Sequence, residues 1–183
     1  EVRSMDVSKK YTVAEIENLE NHIELINGDV IIEAKTSSEH NAAVNDIVFA
    51  FKSYIKAHGG PCKVFSENVA LYVNELCDDD GLFFLPDIMV VCDEDAVDSK
   101  GVHKAPLFVA EVTSEATKKN DYNTKLDVYK KIGVQEYWIV DLQRKVVFKY
   151  LASSDYIPVT HMCPDSLSVS VYDGLSIDMS EFM

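Results

Sequence analysis

Apolar residues recur along this chain in two rhythms, and the switches between them mark out its elements. Thr12-Val13-Ala14-Glu15 fits a capping box, a hydroxyl residue followed three positions on by an acid, and predicts a short helix to about Glu20. From His22 to Lys35, two β-rich runs flank Asn27-Gly28, a pair at ease with positive φ, which predicts a tight hairpin. Val44, Ile47, Val48, Phe51 and Ile55 then fall on one face at helical spacing. Ser38–His58 therefore reads as a long helix, stopped by Gly59-Gly60-Pro61. Cys62–Val73 alternates like a strand, and an acidic loop runs on to Phe84. Asp87–Cys92 and Leu107–Val112 are short apolar runs on either side of a polar connection. Asn120–Ile132 returns to helical spacing and ends at Gly133. Glu136–Val140 and Val146–Leu151 make a second hairpin around Asp141-Leu142-Gln143-Arg144. Weaker β-like segments near Tyr156–His161, Ser168–Tyr172 and Leu175–Ile177 complete the order. Such an order predicts an α+β (mixed α/β) fold, with one central sheet flanked by helices and an N-terminal β-hairpin.

Composition narrows this only slightly. The 183 residues are 47% apolar and 26% charged, as expected of one domain over residues 11–183 behind a tail of residues 1–10. Met5 reads as a native start, so residues 1–4 are left out of the expected fold. No apolar run reaches the length of a membrane span and none resembles a secretory signal, so a cytoplasmic protein with no membrane partner is expected. Cys62, Cys77, Cys92 and Cys163 form no C-x-x-C pair, and the expectation for them is buried, reduced thiols.

Charge changes the picture more. The net value of -14 opposes nonspecific, tight binding of nucleic acid. It is unevenly spread. Glu75, Asp78, Asp79, Asp80, Asp87, Asp93, Glu94, Asp95 and Asp98 crowd residues 74–99, which hold no Lys or Arg. Residues 113–149 carry Lys118, Lys119, Lys125, Lys130, Lys131, Arg144, Lys145 and Lys149. A polyanion would have to approach that second segment.

Two acids lie where acids are costly. Asp87 opens one apolar run, and Glu111 sits inside another. If the two runs pair antiparallel across the 93–105 connection, Cys92 faces Pro106 and Asp87 falls opposite Glu111. Directly opposite side chains share a face, with Cβ atoms about 4.5–5.5 Å apart. Carboxylates that close repel unless a cation lies between them, and hard divalent ions such as Mg²⁺ prefer carboxylate oxygens. A third group comes from the Asn120–Ile132 helix. With Tyr122 at 0°, Leu126 falls at about 40°, Tyr129 at about -20° and Lys125 at about -60°, whereas Lys130 and Lys131 fall outside that arc. A lysine facing inward needs a negative partner.

These residues resemble a known family. Leu85-Pro86-Asp87 followed by Val109-Ala110-Glu111-Val112-Thr113 is similar to the signature of the PD-(D/E)XK nuclease superfamily. Glu111-Val-Thr-Ser-Glu-Ala-Thr117, Asp121-x-x-x-Lys125, Tyr129 and Gly133-Val-Gln-Glu-Tyr-Trp-Ile-Val-Asp141 resemble, more specifically, the Uma family of restriction-endonuclease-like proteins within it. The Ile23–Gly28 hairpin and His40 match as well, so the resemblance spans about Tyr11 to Ile177. It implies a divalent-metal-dependent endodeoxyribonuclease with Asp87 and Glu111 as ligands of Mg²⁺ or Mn²⁺. Asp87, Glu111 and Lys125 would be the catalytic set and DNA the substrate. Thr113 stands where the superfamily has its lysine, and the resemblance nominates Lys125 as the replacement. His40 faces inward and reads as a core histidine; Glu39 reads as solvated and Asp121 as a helix-start acid. Tyr129, Glu136, Tyr137, Trp138 and Asp141 read as core or supporting residues. Double-strand cleavage from one site per chain implies a homodimer. The -14 charge and Thr113 support a second expectation, a nuclease fold that no longer cuts and serves as a binding or assembly module.

Overall fold

The computed structural model describes residues 6, 8–19, 22–32, 36–114, 117–162 and 165–182. Helix α1, Val13–Ile16, is opened by the expected box: the Glu15 carboxylate accepts from the Thr12 backbone N–H at 2.9 Å. It is shorter than predicted, and the expected end at Glu20 lies outside the described residues, as do residues 1–5, 33–35 and Cys163. Strands β1, Ile23–Ile26, and β2, Asp29–Ile32, form the N-terminal hairpin. Asn27 and Gly28 turn it with φ of 53° and 78°, the left-handed pair that the sequence predicts. Helix α2 is Ser38–His58, its start capped by the Ser37 hydroxyl, and Gly59 ends it at φ 77°.

The predicted strand Cys62–Val73 is broken. Strand β3 is Lys63–Ser66. Glu67 and Asn68 then take φ of 28° and 63°, a backbone turn that no strand can contain. Strand β4, Ala70–Leu71, leaves for a different ribbon, and the supposed acidic loop contains helix α3, Val73–Cys77, which buries Val73 and Cys77 one turn apart. Strand β5 is Ile88–Val91, β6 is Gly101–Val102 and β7 is Phe108–Thr113. Helix α4 starts as Lys118–Asn120, widens into a π-helical turn at Asp121–Lys125 and ends as Leu126–Ile132. Then come β8, Glu136–Asp141, β9, Val146–Leu151, β10, Val159–Met162, β11, Ser166–Ser168, and β12, Ser176–Asp178.

The central sheet has six strands in the order β10-β9-β8-β7-β5-β3 and is mixed, since β7 and β8 run parallel while the other neighbours are antiparallel. A parallel pair needs a crossover, and α4 provides it. Side-chain alternation sorts the two faces. Ile88, Val90, Phe108, Ala110, Val112, Trp138 and Val140 pack with the Val44, Ile47, Val48 and Phe51 face of α2. Met89, Val91, Val109, Tyr137 and Ile139 pack with Val128 and Tyr129 of α4. This is the predicted α+β fold, with a helix on each face of one sheet.

Two buried polar groups tie the remainder down. Glu136 accepts from the Trp138 indole at 2.7 Å and the Val171 backbone at 2.9 Å, and pairs with Lys149 at 3.0 Å. Lys149 in turn donates to the Ser168 carbonyl, which fixes the β11–β12 segment to the sheet. Cys62 and Cys92 correct the expectation of reduced thiols. The β3–β5 ladder pairs Lys63 with Val91, so its next position sets Cys62 opposite Cys92, and the two form a disulfide. Cys77 is a free, buried thiol.

Candidate active site

The β5–β7 ladder pairs Ile88 with Ala110, Met89 with Val109 and Val90 with Phe108, the register assumed from the sequence. One step further, Asp87 meets the Glu111 stretch of β7. The Asp87 Oδ2 accepts from the Val112 backbone N–H at 2.7 Å, and the Asp87 backbone N–H points at Glu111 Oε2 from 3.4 Å. Parity along β7 sends Val112 to the α2 face and Glu111 to the α4 face. Glu111 therefore lies among the groups that α4 presents.

There the wheel argument holds. Lys125 points inward and is 2% exposed. Its ammonium lies 2.9 Å from Glu24 Oε1, 3.1 Å from Glu111 Oε1 and 3.7 Å from Asp121 Oδ1, and 5.7 Å from the centre of the Phe84 ring. The Tyr129 hydroxyl donates to the same Glu111 oxygen at 2.7 Å. The π turn places Asp121 and Lys125 four residues apart on one buried side. Asp121 lies near the helix start, as expected, and tertiary packing buries it there. Its Oδ1 accepts no hydrogen bond among the described residues.

Three buried acids share one ammonium, and the titration directions follow. Burial would push Lys125 down, but Glu111, Glu24 and Asp121 together outweigh it and hold the ammonium charged well above its usual range. Burial raises Glu111 well above the ordinary carboxylate range against the pull of Lys125, and Asp87, Asp121 and Glu24 add to the rise. Glu24 is raised by burial against Lys125 and the Leu85 N–H, which donates to it at 2.8 Å. Asp121 is raised by burial against Lys125 and the Thr117 and Thr113 hydroxyls. One positive charge cannot compensate all three, so the cluster holds excess affinity for protons or for another cation.

Asp87 has a second set of neighbours. His40, in the first turn of α2, places Nε2 3.2 Å from Asp87 Oδ1 and 3.7 Å from Glu67 Oε1. These three partly buried residues offer donor atoms that all lie within 4.8 Å of one another. Glu67 reaches this point because of the backbone turn that breaks β3. The Asp87–Glu111–Lys125 set is thus brought to one place but in two parts. Asp87 faces the His40–Glu67 side, and Glu111 faces Lys125, Tyr129 and Glu24. Glu39 lies exposed, as expected. Sequence reasoning missed Glu24 and Glu67. Glu24 is a lone acid in the apolar run Ile23–Ile26, the same signal that exposed Glu111, whereas Glu67 carries no such mark.

Comparison with known proteins gives a consistent result. The chain matches the Uma2 family, described as "putative restriction endonuclease", over residues 9–180. Among solved structures it resembles a putative nuclease of the DUF820 group from Anabaena variabilis, with a TM-score of 0.72 and 19% identity, covering 93% of this chain and 96% of that one. At that identity the likeness is one of fold. No curated protein matches. The chain belongs to the Uma2 family of restriction-endonuclease-like proteins.

Proposed function

We propose that this chain is a Mg²⁺- or Mn²⁺-dependent endodeoxyribonuclease that hydrolyses DNA phosphodiester bonds at Asp87, Glu111 and Lys125. One observation carries the reading. The β5–β7 register sets Asp87 beside Glu111, with the His40 and Glu67 donors on one side and the Lys125 ammonium on the other. The donor set fits a divalent ion. Two carboxylates and an imidazole suit Mn²⁺, carboxylates alone suit Mg²⁺, and Glu67 Oε1 is buried without a hydrogen-bond donor among the described residues. Asp87, His40 and Glu67 would hold the ion, with Glu111 offering Oε2. A bound ion of this kind polarises the phosphate and makes a coordinated water acidic.

The side chains carry the rest. Lys125 and Tyr129 both grip Glu111 Oε1, which leaves Oε2 to face the ion site beside Asp87. Lys125 is enclosed by acids, so its part is to position Glu111. Two copies would serve the two strands of a duplex, and light scattering at tens of micromolar tests for a homodimer. We place the protein in the cytoplasm; no described helix is long and apolar enough to cross a membrane. The Cys62–Cys92 bond pulls against a reducing compartment.

Plasmid cleavage with Mn²⁺, compared with Asp87→Ala, is the direct test. Loss of nicking in the variant is expected, and equal cleavage by both would sink the proposal. The enclosure of Lys125 favours a second reading, a fold kept for binding or assembly after catalysis was lost. Titration calorimetry separates the two: absence of a Mn²⁺ site at millimolar ion would favour the second.

A further inference from the structure

A chain of net charge -14 that acts on a polyanion needs a local positive surface beside its acids. The ends of β7 and β8 show one. Thr113 pairs with Asp141 at the end of the parallel ladder, and Glu111 lies two residues back along β7. By strand geometry Asp141 is then only about 8 Å from Glu111, Cα to Cα. Asp141 is 2% exposed, an unusual place for an acid at a strand end. Its carboxylate pairs with Lys118 Nζ at 3.0 Å, accepts from the Arg144 backbone N–H at 3.0 Å and stands 3.9 Å from Arg144 Nε. One buried acid therefore locks the start of α4 to the β8–β9 turn and sets Lys118 and Arg144 side by side. Lys119 and Lys145 flank them, both exposed. Lys145 closes the turn at φ 53°, a conformation that lysine rarely takes. Lys119, Arg144 and Lys145 are thus exposed cations beside the Lys118–Asp141 pair.

Four acids of the acidic segment lie away from these cations. Lys131, at the far end of α4, donates to the Cys77 carbonyl of α3, which places Glu75 and Asp78–Asp80 by that end. Lys118 and Lys131 are separated by about 20 Å of helix, more than twice the screening length of about 8 Å at physiological salt. The Glu75 and Asp78–Asp80 cluster thus lies more than a screening length from these cations.

We infer that Lys118, Lys119, Arg144 and Lys145 form a phosphate-binding ridge that holds the backbone of duplex DNA against the candidate active site. This rests on the nuclease reading above. The test is anisotropy with a fluorescent 20-base-pair duplex in EDTA, from 50 to 200 mM salt, run beside Mn²⁺ cleavage. The variant is Lys119→Gln/Arg144→Gln/Lys145→Gln, which leaves the Lys118–Asp141 pair and the Arg144 backbone N–H intact. Lys52→Gln, on the exposed face of α2, is the control. The slope of log K against log salt should flatten by about 0.9 per lost phosphate contact, or about 2.7 for three, with the melting temperature and the control unchanged. If the wild type binds and cleaves while the triple variant keeps its full slope, the ridge is wrong and the nuclease reading stands. If the wild type neither binds nor cleaves, both are overturned.

Discussion

Replacing Lys125 with methionine asks what the buried lysine does. From the sequence the change looks close to neutral, since an apolar chain of similar length replaces a desolvated charge. The structure reverses the expectation. Glu24, Glu111 and Asp121 all face the ammonium within 3.7 Å, so the substitution strands three buried acids. Removing one partner of a buried pair costs about 3–5 kcal/mol. An independent bound agrees: holding one ordinary glutamic acid neutral at pH 7 costs about 3.7 kcal/mol, from a pKa near 4.3 and 1.36 kcal/mol per unit. For a chain of this size that lowers the melting temperature by about 10 °C. The pH dependence has a definite sign. In the variant the acids lose the group that opposes their upward shift, so the folded state binds more protons than the unfolded one above the usual carboxylate range. Stability then falls as pH rises and returns on acidification. Urea melts of wild type and Lys125→Met at pH 5 and pH 7 read this directly. The variant should be strongly destabilised at pH 7 and partly restored at pH 5, and Lys125→Met/Glu24→Gln should recover part of the loss at pH 7. A Lys125→Met protein as stable as wild type at pH 7 would refute the account of the cluster.

Two further outcomes are expected away from the site. His103 is held above its ordinary pKa: burial lowers it, but hydrogen bonds to Glu75 and Asp98 outweigh that. Its stabilisation is full below about pH 6.5 and is lost as pH rises through the raised value, so the gap in melting temperature to His103→Gln should shrink between pH 6 and pH 8; a constant gap counts against the pairing. Cys62 and Cys92 are bonded, so denatured protein alkylated without reductant should take up two fewer groups than reduced protein, and equal uptake would mean two free thiols.

Local patterns decided much of this protein by themselves. The α2 boundaries follow from helical spacing and a Gly-Gly-Pro stop, and the first hairpin from Asn27-Gly28; the β5–β7 register has to be assumed from the sequence and is set by the fold. Lys125 could be turned inward on paper because 3.6-residue periodicity is a property of the backbone. The rest depended on tertiary structure. Glu67 joins His40 and Asp87 only because a turn after β3 breaks an alternation that looked continuous. Asp121 is buried because the crossover helix lies on the sheet through a π turn, and no residue spacing reports that packing. Glu24 reaches Lys125 across 101 positions of chain. The Cys62–Cys92 bond likewise needs the β3–β5 register, and Asp141 gathers cations from α4 and from the β8–β9 turn. A sequence carries the period of each element, but the sharing of one buried charge among distant elements is set when their faces meet.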